Sequence, residues 1–350
     1  MNTSPIVSSI VILSMVTSNQ LNAQQVERWE VAEVPSVSLG SIEGGNGDLF
    51  VNVLLGTQLS DGTLVIRNSN RGIFELRYFH PHGEHLATAS RWGQGPYEFQ
   101  VPAGAFRTGG DSILVVGRDG RYAVFGPRGE RVRDGRFQTV GGSFPSGTEH
   151  DREYLVFTRQ WTGVEQGQIG RVSKHVIAFD VESEQVDTIG VVYSATLRME
   201  REGPVFSGFD QPFSARGHVA IGGGFVWIGD SAESTISGHR LGEPGGVASV
   251  RLSHSPRAVT RSDRRDFERR AEERWDEQMG IMWRRASRAL GFPATMPLYA
   301  ELDVDREGNL WVRKYAPPWE SGAWTWMVLS PDGDQLASVE VPETALPACA

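Results

Sequence analysis

Disulfide chemistry is all but absent from this chain, whose single cysteine, Cys349, sits next to the C-terminus. No intrachain disulfide can form, so stability has to come from packing. Lysine is nearly missing too: Lys174 and Lys314 are the only two among 34 basic residues, so almost all positive charge is guanidinium. The sequence has no G-x-S-x-G nucleophile elbow, no H-E-x-x-H and no phosphate-cradling glycine loop. A Ser-His-Asp set needs no adjacency in the chain and stays open. The net charge of -9 argues against nucleic acid as a partner. The apolar run Ile6 to Val16 is too short to span a bilayer, which takes about 20 residues.

That run has the length of a signal-peptide core, and Leu21-Asn22-Ala23 offers a small residue at a cleavage site. Residues 1–23 are therefore expected to be a signal peptide, and residues 24–350 the exported mature domain, periplasmic or secreted and not membrane-spanning after cleavage. Hydrophobic residues make up 39% and charged residues 22%, ordinary for a globular protein, while the 41 glycines suit many tight turns.

One phrase recurs: a small or acidic residue and a turn, then an alternating strand. It reads Asp61-Gly62-Thr63-Leu64-Val65-Ile66, Asp111-Ser112-Ile113-Leu114-Val115-Val116, Gly224-Phe225-Val226-Trp227-Ile228 and Glu307-Gly308-Asn309-Leu310-Trp311-Val312. A weaker copy is Glu153 to Phe157. Each is followed by a second short strand and a turn, as in Tyr122 to Phe125 before Arg128-Gly129 and Trp326 to Leu329 before Asp332-Gly333. Alternating apolar residues bounded by Gly, Pro, Asp and Asn mark antiparallel meanders. The period from Asp61 to Asp111 is about 50 residues, which fits a four-stranded propeller blade.

The stretch Arg91-Trp92-Gly93-Gln94-Gly95-Pro96-Tyr97-Glu98-Phe99, with Val101-Pro102 after it, resembles the inter-blade phrase G-x-G-P-x-E-F…P of NHL-type and TolB-like bacterial six-bladed propellers. The blade rhythm D-G-x-L-x-V…F-x-x-x-G is similar to theirs as well, over most of Val31 to Pro342. The resemblance implies an all-β six-bladed β-propeller, and because its motifs are structural it transfers fold better than function. Five blades are recognisable, at about 51–90, 102–140, 141–195, 205–255 and 298–342. Val31 to Leu39 is expected to help complete a sixth by ring closure, the last blade being incomplete by itself.

Thr260 to Leu290 breaks the rhythm. Phe267, Ala271, Trp275, Met279, Met282, Ala286 and Ala289 recur at spacings of three and four, the apolar face of a helix. Ser262 is read as the N-cap, Gly291 and Pro293 as the stop, and Gly280 as a point of division. This insertion, 260–291, is expected to cap the propeller or to dock a protein partner.

Strand parity assigns the candidate site. In a four-stranded meander the loop between the second and third strands shares a face with the connections between blades. Arg67, Asn68, Arg118, Asp119, Asp230, Arg313 and Lys314 fall on that face, with Arg91 to Phe99 and the helical insertion. Arginine forks suit carboxylates, phosphates and sulfates, so these residues are the candidate ligand-binding set. His80, His82 and His85 are the right types for a divalent metal, with Glu84 between them, but parity places them in a hairpin on the opposite face. Trp319, Trp324 and Trp326 read as packing between strands or as a stacking surface for sugars or peptides. The leading functional expectation is a non-enzymatic binding or scaffold module for a peptide, glycan or small anion. The alternative is a metal-dependent hydrolase or lyase, lactonase-like, with its metal on the propeller axis.

Overall fold

The computed structural model describes residues 26–32, 36–40, 50, 53–70, 73–137, 144–149, 154–160, 163–180, 185–243, 245–274, 277–320 and 322–342. The expected signal peptide, residues 1–23, and Trp275 and Cys349 lie outside them.

After a short strand β1 (Glu27–Glu30) the chain builds sheets in sequence order. The first is β2 (Val53–Gln58), β3 (Leu64–Asn70), β4 (Ile73–Phe79) and β5 (His85–Ala89); the second is β6 (Pro102–Thr108), β7 (Ser112–Gly117), β8 (Arg121–Phe125) and β9 (Arg131–Arg136). The third takes β10 (Phe144–Glu149) and β11 (Tyr154–Gln160), skips the two-residue β12 (Ile169–Gly170), and continues with β13 (Ser173–Asp180) and β14 (Val186–Tyr193). Strand β12 joins β15 (Leu197–Glu202) and β16 (Val205–Asp210) in a three-stranded sheet. The next meander is β17 (Gly217–Gly222), β18 (Phe225–Asp230), β19 (Thr235–Arg240) and β20 (Val247–Arg251). Helices α1 (Arg261–Arg274) and α2 (Glu277–Leu290) follow, then β21 (Tyr299–Val304), β22 (Leu310–Lys314), β23 (Ala323–Leu329) and β24 (Gln335–Pro342).

The propeller is legible in how single strands divide their side chains. Along β7, Ile113 and Val115 enter a core shared with the first sheet, while Leu114 and Val116 enter one shared with Phe179 of the third. Along β18, Val226 packs with the third sheet, and Phe225 and Trp227 pack with the last. A strand alternates its side chains between two faces, so burial on both faces requires a sheet on each side. The last sheet turns Leu310, Val312, Met327 and Leu329 to the fourth meander, and Trp326, Val328, Val339 and Val341 to its other face. Arg306, in the β21–β22 turn, donates to the carbonyl of Gln58 in the first sheet, so last and first sheets meet. Where these innermost turns crowd, side chains do not fit: a Cβ on Gly223 (φ 61°) would lie 2.9 Å from Cα of Gly308 (φ 84°).

Several expectations change. Val31 to Leu39 does not supply a closing strand among its described residues; β1, just before it, pairs in parallel with β24, with Trp29 against Trp311. The last sheet is complete, with four strands of its own, and β1 covers its edge. The sixth sheet is the three-stranded one: β15 falls between residues 195 and 205, a stretch assigned to no blade, and the sheet packs on the helices while the third sheet packs directly on the fourth meander, which begins at Gly217, not near 205. The helix cap is Thr260, whose hydroxyl accepts from the Asp263 amide at 3.2 Å while the Asp263 carboxylate accepts from the Thr260 amide at 2.9 Å. This reciprocal box satisfies two amides, which a cap at Ser262 would not. Gly280 lies inside α2 and divides no helix. Helix α2 buries Met282, Trp283, Ala286 and Leu290 against Phe209 of β16, whereas Ala289 is exposed.

Candidate functional site on the connector face

Strand direction divides the molecule into two ends. Strand β2 runs toward the Leu59–Thr63 turn, so the C-terminal end of β3 and the connection to β6 share the opposite, connector end. Arg67, Asn68, Arg118, Asp119, Asp230, Arg313, Lys314, the Arg91–Phe99 connector and both helices lie at the connector end. The His80–Glu84 turn lies at the other end.

The arginine and carboxylate candidates have different surroundings. Asn68 is 1% exposed and donates its amide to Glu75 at 3.1 Å, a carboxylate that also takes Arg77 at 2.6 Å. Arg67 lies half-buried over the Phe74 ring; burial lowers its pKa, and its Nε has no acceptor among the described residues. Arg91 donates to Glu98 at 2.5 Å, and the same carboxylate accepts from the Gly95 amide at 3.0 Å. A Cβ at Gly93 would run into that carboxylate, so the glycines of the connector make room for a carboxylate lock. Asp230 pairs with Arg171 at 2.7 Å, and Arg313 pairs with Glu301 at 2.9 Å over the Trp324 ring. These residues tie sheets and connectors together.

Arg118 and Asp119 are different: both open onto a cavity of about 680 Å³, lined also by Gln94, Phe99, Gln100, Val101, Arg121 and Arg136. The loop is set by the Arg118 amide bonding Val101 O at 3.0 Å and the Gly120 amide bonding Gly117 O at 3.1 Å. Arg121 and Arg136 are opposed in the β8–β9 register. Like charges directly opposed repel. Asp119 offsets this by accepting from Arg121 Nε at 2.8 Å and lying 3.7 Å from Arg136. Arg121 also donates to the Gln94 carbonyl at 2.9 Å, fixing the cavity wall to the connector. The lining therefore has three guanidinium groups, two primary amides, one aromatic ring and a single carboxylate. Guanidinium groups and primary amides in such a lining are of the chemistry that suits oxyanions, with Phe99 as an apolar face.

Sequence reasoning missed Gln94, Gln100, Arg121 and Arg136. Gln94 and Arg121 carried a signal, lying inside the connector phrase and two residues after Asp119; Arg136 carried none, because only strand pairing brings it in. It also missed His218 on β17 and Tyr299 on β21, whose rings are 5.2 Å apart between the fourth and last meanders. Neither His218 Nε2 nor Tyr299 Oη has a hydrogen-bond partner among the described residues. Burial, aided by the Arg216 charge, pushes the His218 imidazole down to about 4.

His80, His82 and His85 are exposed; His85 bonds Thr88 Oγ1 at 2.9 Å. Among the described residues no three His, Cys, Asp or Glu side chains converge as metal ligands. Trp319 packs edge-on against Phe213, and Trp326 is buried in the last sheet. Among the described residues no helix is long and apolar enough to cross a membrane.

No protein-family model matches the chain, and no curated protein does. Solved structures with a loose overall likeness include a provisionally assigned exported protein from Bacteroides fragilis, at 13% identity and TM-score 0.46 over 91% of this chain and 80% of that one. A nidogen–laminin complex matches at 10% identity and TM-score 0.41, over 83% of this chain and 81% of that one. A provisionally assigned gluconolactonase matches at 11% identity and TM-score 0.40, over 84% and 79%. At these values the likeness carries no assignment of function.

Proposed function

We propose that this β-propeller is an exported binding module that holds a small anionic ligand, such as an acidic sugar or a carboxylate, in the connector-face cavity. One observation carries the reading: a cavity of about 680 Å³ whose lining sets three guanidinium groups against a single carboxylate. That volume is within the range of small-molecule sites. Arg118 and Arg136 supply forks for the anion, Gln94 and Gln100 hydrogen-bond hydroxyl groups, and Phe99 stacks on a ring face. Export rests on the apolar run Ile6 to Val16 and the small residue Ala23, and kinship with NHL and TolB-like propellers rests on the connector phrase.

The test is calorimetric titration of the purified mature protein with uronic acids, dicarboxylates and the matching neutral sugars. Acidic ligands should bind, and Arg118→Ala with Arg136→Gln should weaken them about tenfold or more, the scale of one lost charge-assisted hydrogen bond. Equal affinity for the neutral sugars would sink the proposal. Export is checked separately by sequencing the N-terminus of protein recovered outside the cytoplasm, which should begin at Gln24.

A further inference from the structure

Far from the connector cavity along the chain, a second cavity of about 610 Å³ lies between α2 and the three-stranded sheet, lined by Arg198, Ile281, Arg284, Arg285, Arg288 and Ala289. Four of its six lining residues are arginines, in a chain whose net charge is -9. Two of them are accounted for. Arg198 donates to Glu200 at 2.6 Å, and Arg285 spans Glu200 at 3.3 Å and Glu202 at 3.0 Å. These two cations and two carboxylates form a neutral wall, with the buried Glu200 at its centre. Arg284 and Arg288 are additional to it. Both are exposed, and they stand four residues apart on α2, one helical turn. Like charges at that spacing repel, so the helix keeps a cost that a bridging anion removes. Ile281, 40% exposed, borders the same cavity one turn before Arg284.

The geometry points to a second ligand site here, for a tetrahedral oxyanion group (a phosphate or sulfate) bridged by Arg284 and Arg288, with an adjoining apolar portion resting on Ile281 and Ala289. A tetrahedral group presents more oxygens than a carboxylate, spread in three dimensions, and so suits two forks that do not lie in one plane. The neutral wall positions Arg285 and Arg198 without adding charge, so the excess of two positive charges faces the cavity. The site is independent of the connector-face reading, since the two cavities share no residue.

The experiment is titration of the mature protein with inorganic phosphate against sodium chloride at matched ionic strength, read by phosphorus line broadening and thermal midpoint. Saturable phosphate binding is expected. The Arg284→Gln/Arg288→Gln double variant should weaken it roughly tenfold or more, while Arg261→Gln on the exposed start of α1 leaves it unchanged. Circular dichroism checks that the double variant is folded. Phosphate binding that survives the double substitution overturns the inference, as does a response no larger than that to chloride. An equal response to acetate overturns the tetrahedral preference. Sedimentation with vesicles of phosphatidate in phosphatidylcholine separates a free group from a lipid headgroup: vesicle capture without any response to inorganic phosphate overturns the cavity in favour of a charged surface.

Discussion

The loop after the second strand occupies the same place in the second sheet as in the fourth and last meanders, yet it does different work in each. In the fourth and last meanders its charges are consumed one to one, Asp230 by Arg171 and Arg313 by Glu301. In the second sheet Asp119 is shared between Arg121 and Arg136, while Arg118 lines the same cavity. The repeat decides where a charged residue stands; the charges packed around it decide whether it is matched one to one or shared.

The comparison can be broken first with acid. His218 sits partly buried at the junction between the fourth and last meanders, where burial lowers its pKa to about 4 from the ordinary 6.5. The unfolded chain takes up the proton first, so this contribution is complete above about pH 6.5 and is lost as pH falls toward 4. Denaturant midpoints should show up to about 3 kcal/mol lost over that window, and His218→Phe should flatten the dependence. A pH profile unchanged by the substitution would mean that the junction is wet. Next comes the clamp: Asp230→Asn leaves the partly buried Arg171 without its counter-charge and should cost about 2 kcal/mol in equilibrium unfolding, with no change in affinity for an acidic ligand.

The pocket side should behave in reverse. Arg118→Ala should reduce affinity for acidic ligands by about tenfold while shifting stability by less than about 0.5 kcal/mol, because it truncates a charge at the rim of a cavity. A stability loss as large as that of Asp230→Asn would make the two loops alike and remove the distinction. The smallest effect is expected at Arg313, whose pairing with Glu301 and stacking on Trp324 are partly solvated: Arg313→Ala should cost about 1 kcal/mol and leave binding intact.

Much of the fold could be read before any coordinates. The Asp-Gly turns and alternating strands placed four of the meanders to within a few residues, the fourth alone beginning well after its expected start near 205, because turn chemistry and strand alternation are local properties. Parity alone assigned Arg118 and Asp119 to the connector end and the histidine hairpin to the other. The three-stranded sheet was not legible: Ile169-Gly170 is too short to announce itself, and β15 and β16 read like any other strand pair. Nor was the Thr260 cap, since Ser262 fits the residue preference equally well and only the hydrogen bonds distinguish them.

What the sequence by itself determined is the repeat, the helical interruption and the end of the molecule on which each loop stands, since these follow from backbone chemistry between near neighbours. Only the tertiary structure decided which charges meet. Arg136 reaches Asp119 through a strand pairing, Arg171 reaches Asp230 across sheets, and Arg285 reaches Glu200 from a helix 85 residues away. Coulombic partnership depends on distance in space, and a linear sequence carries no measure of that distance until the sheets have packed.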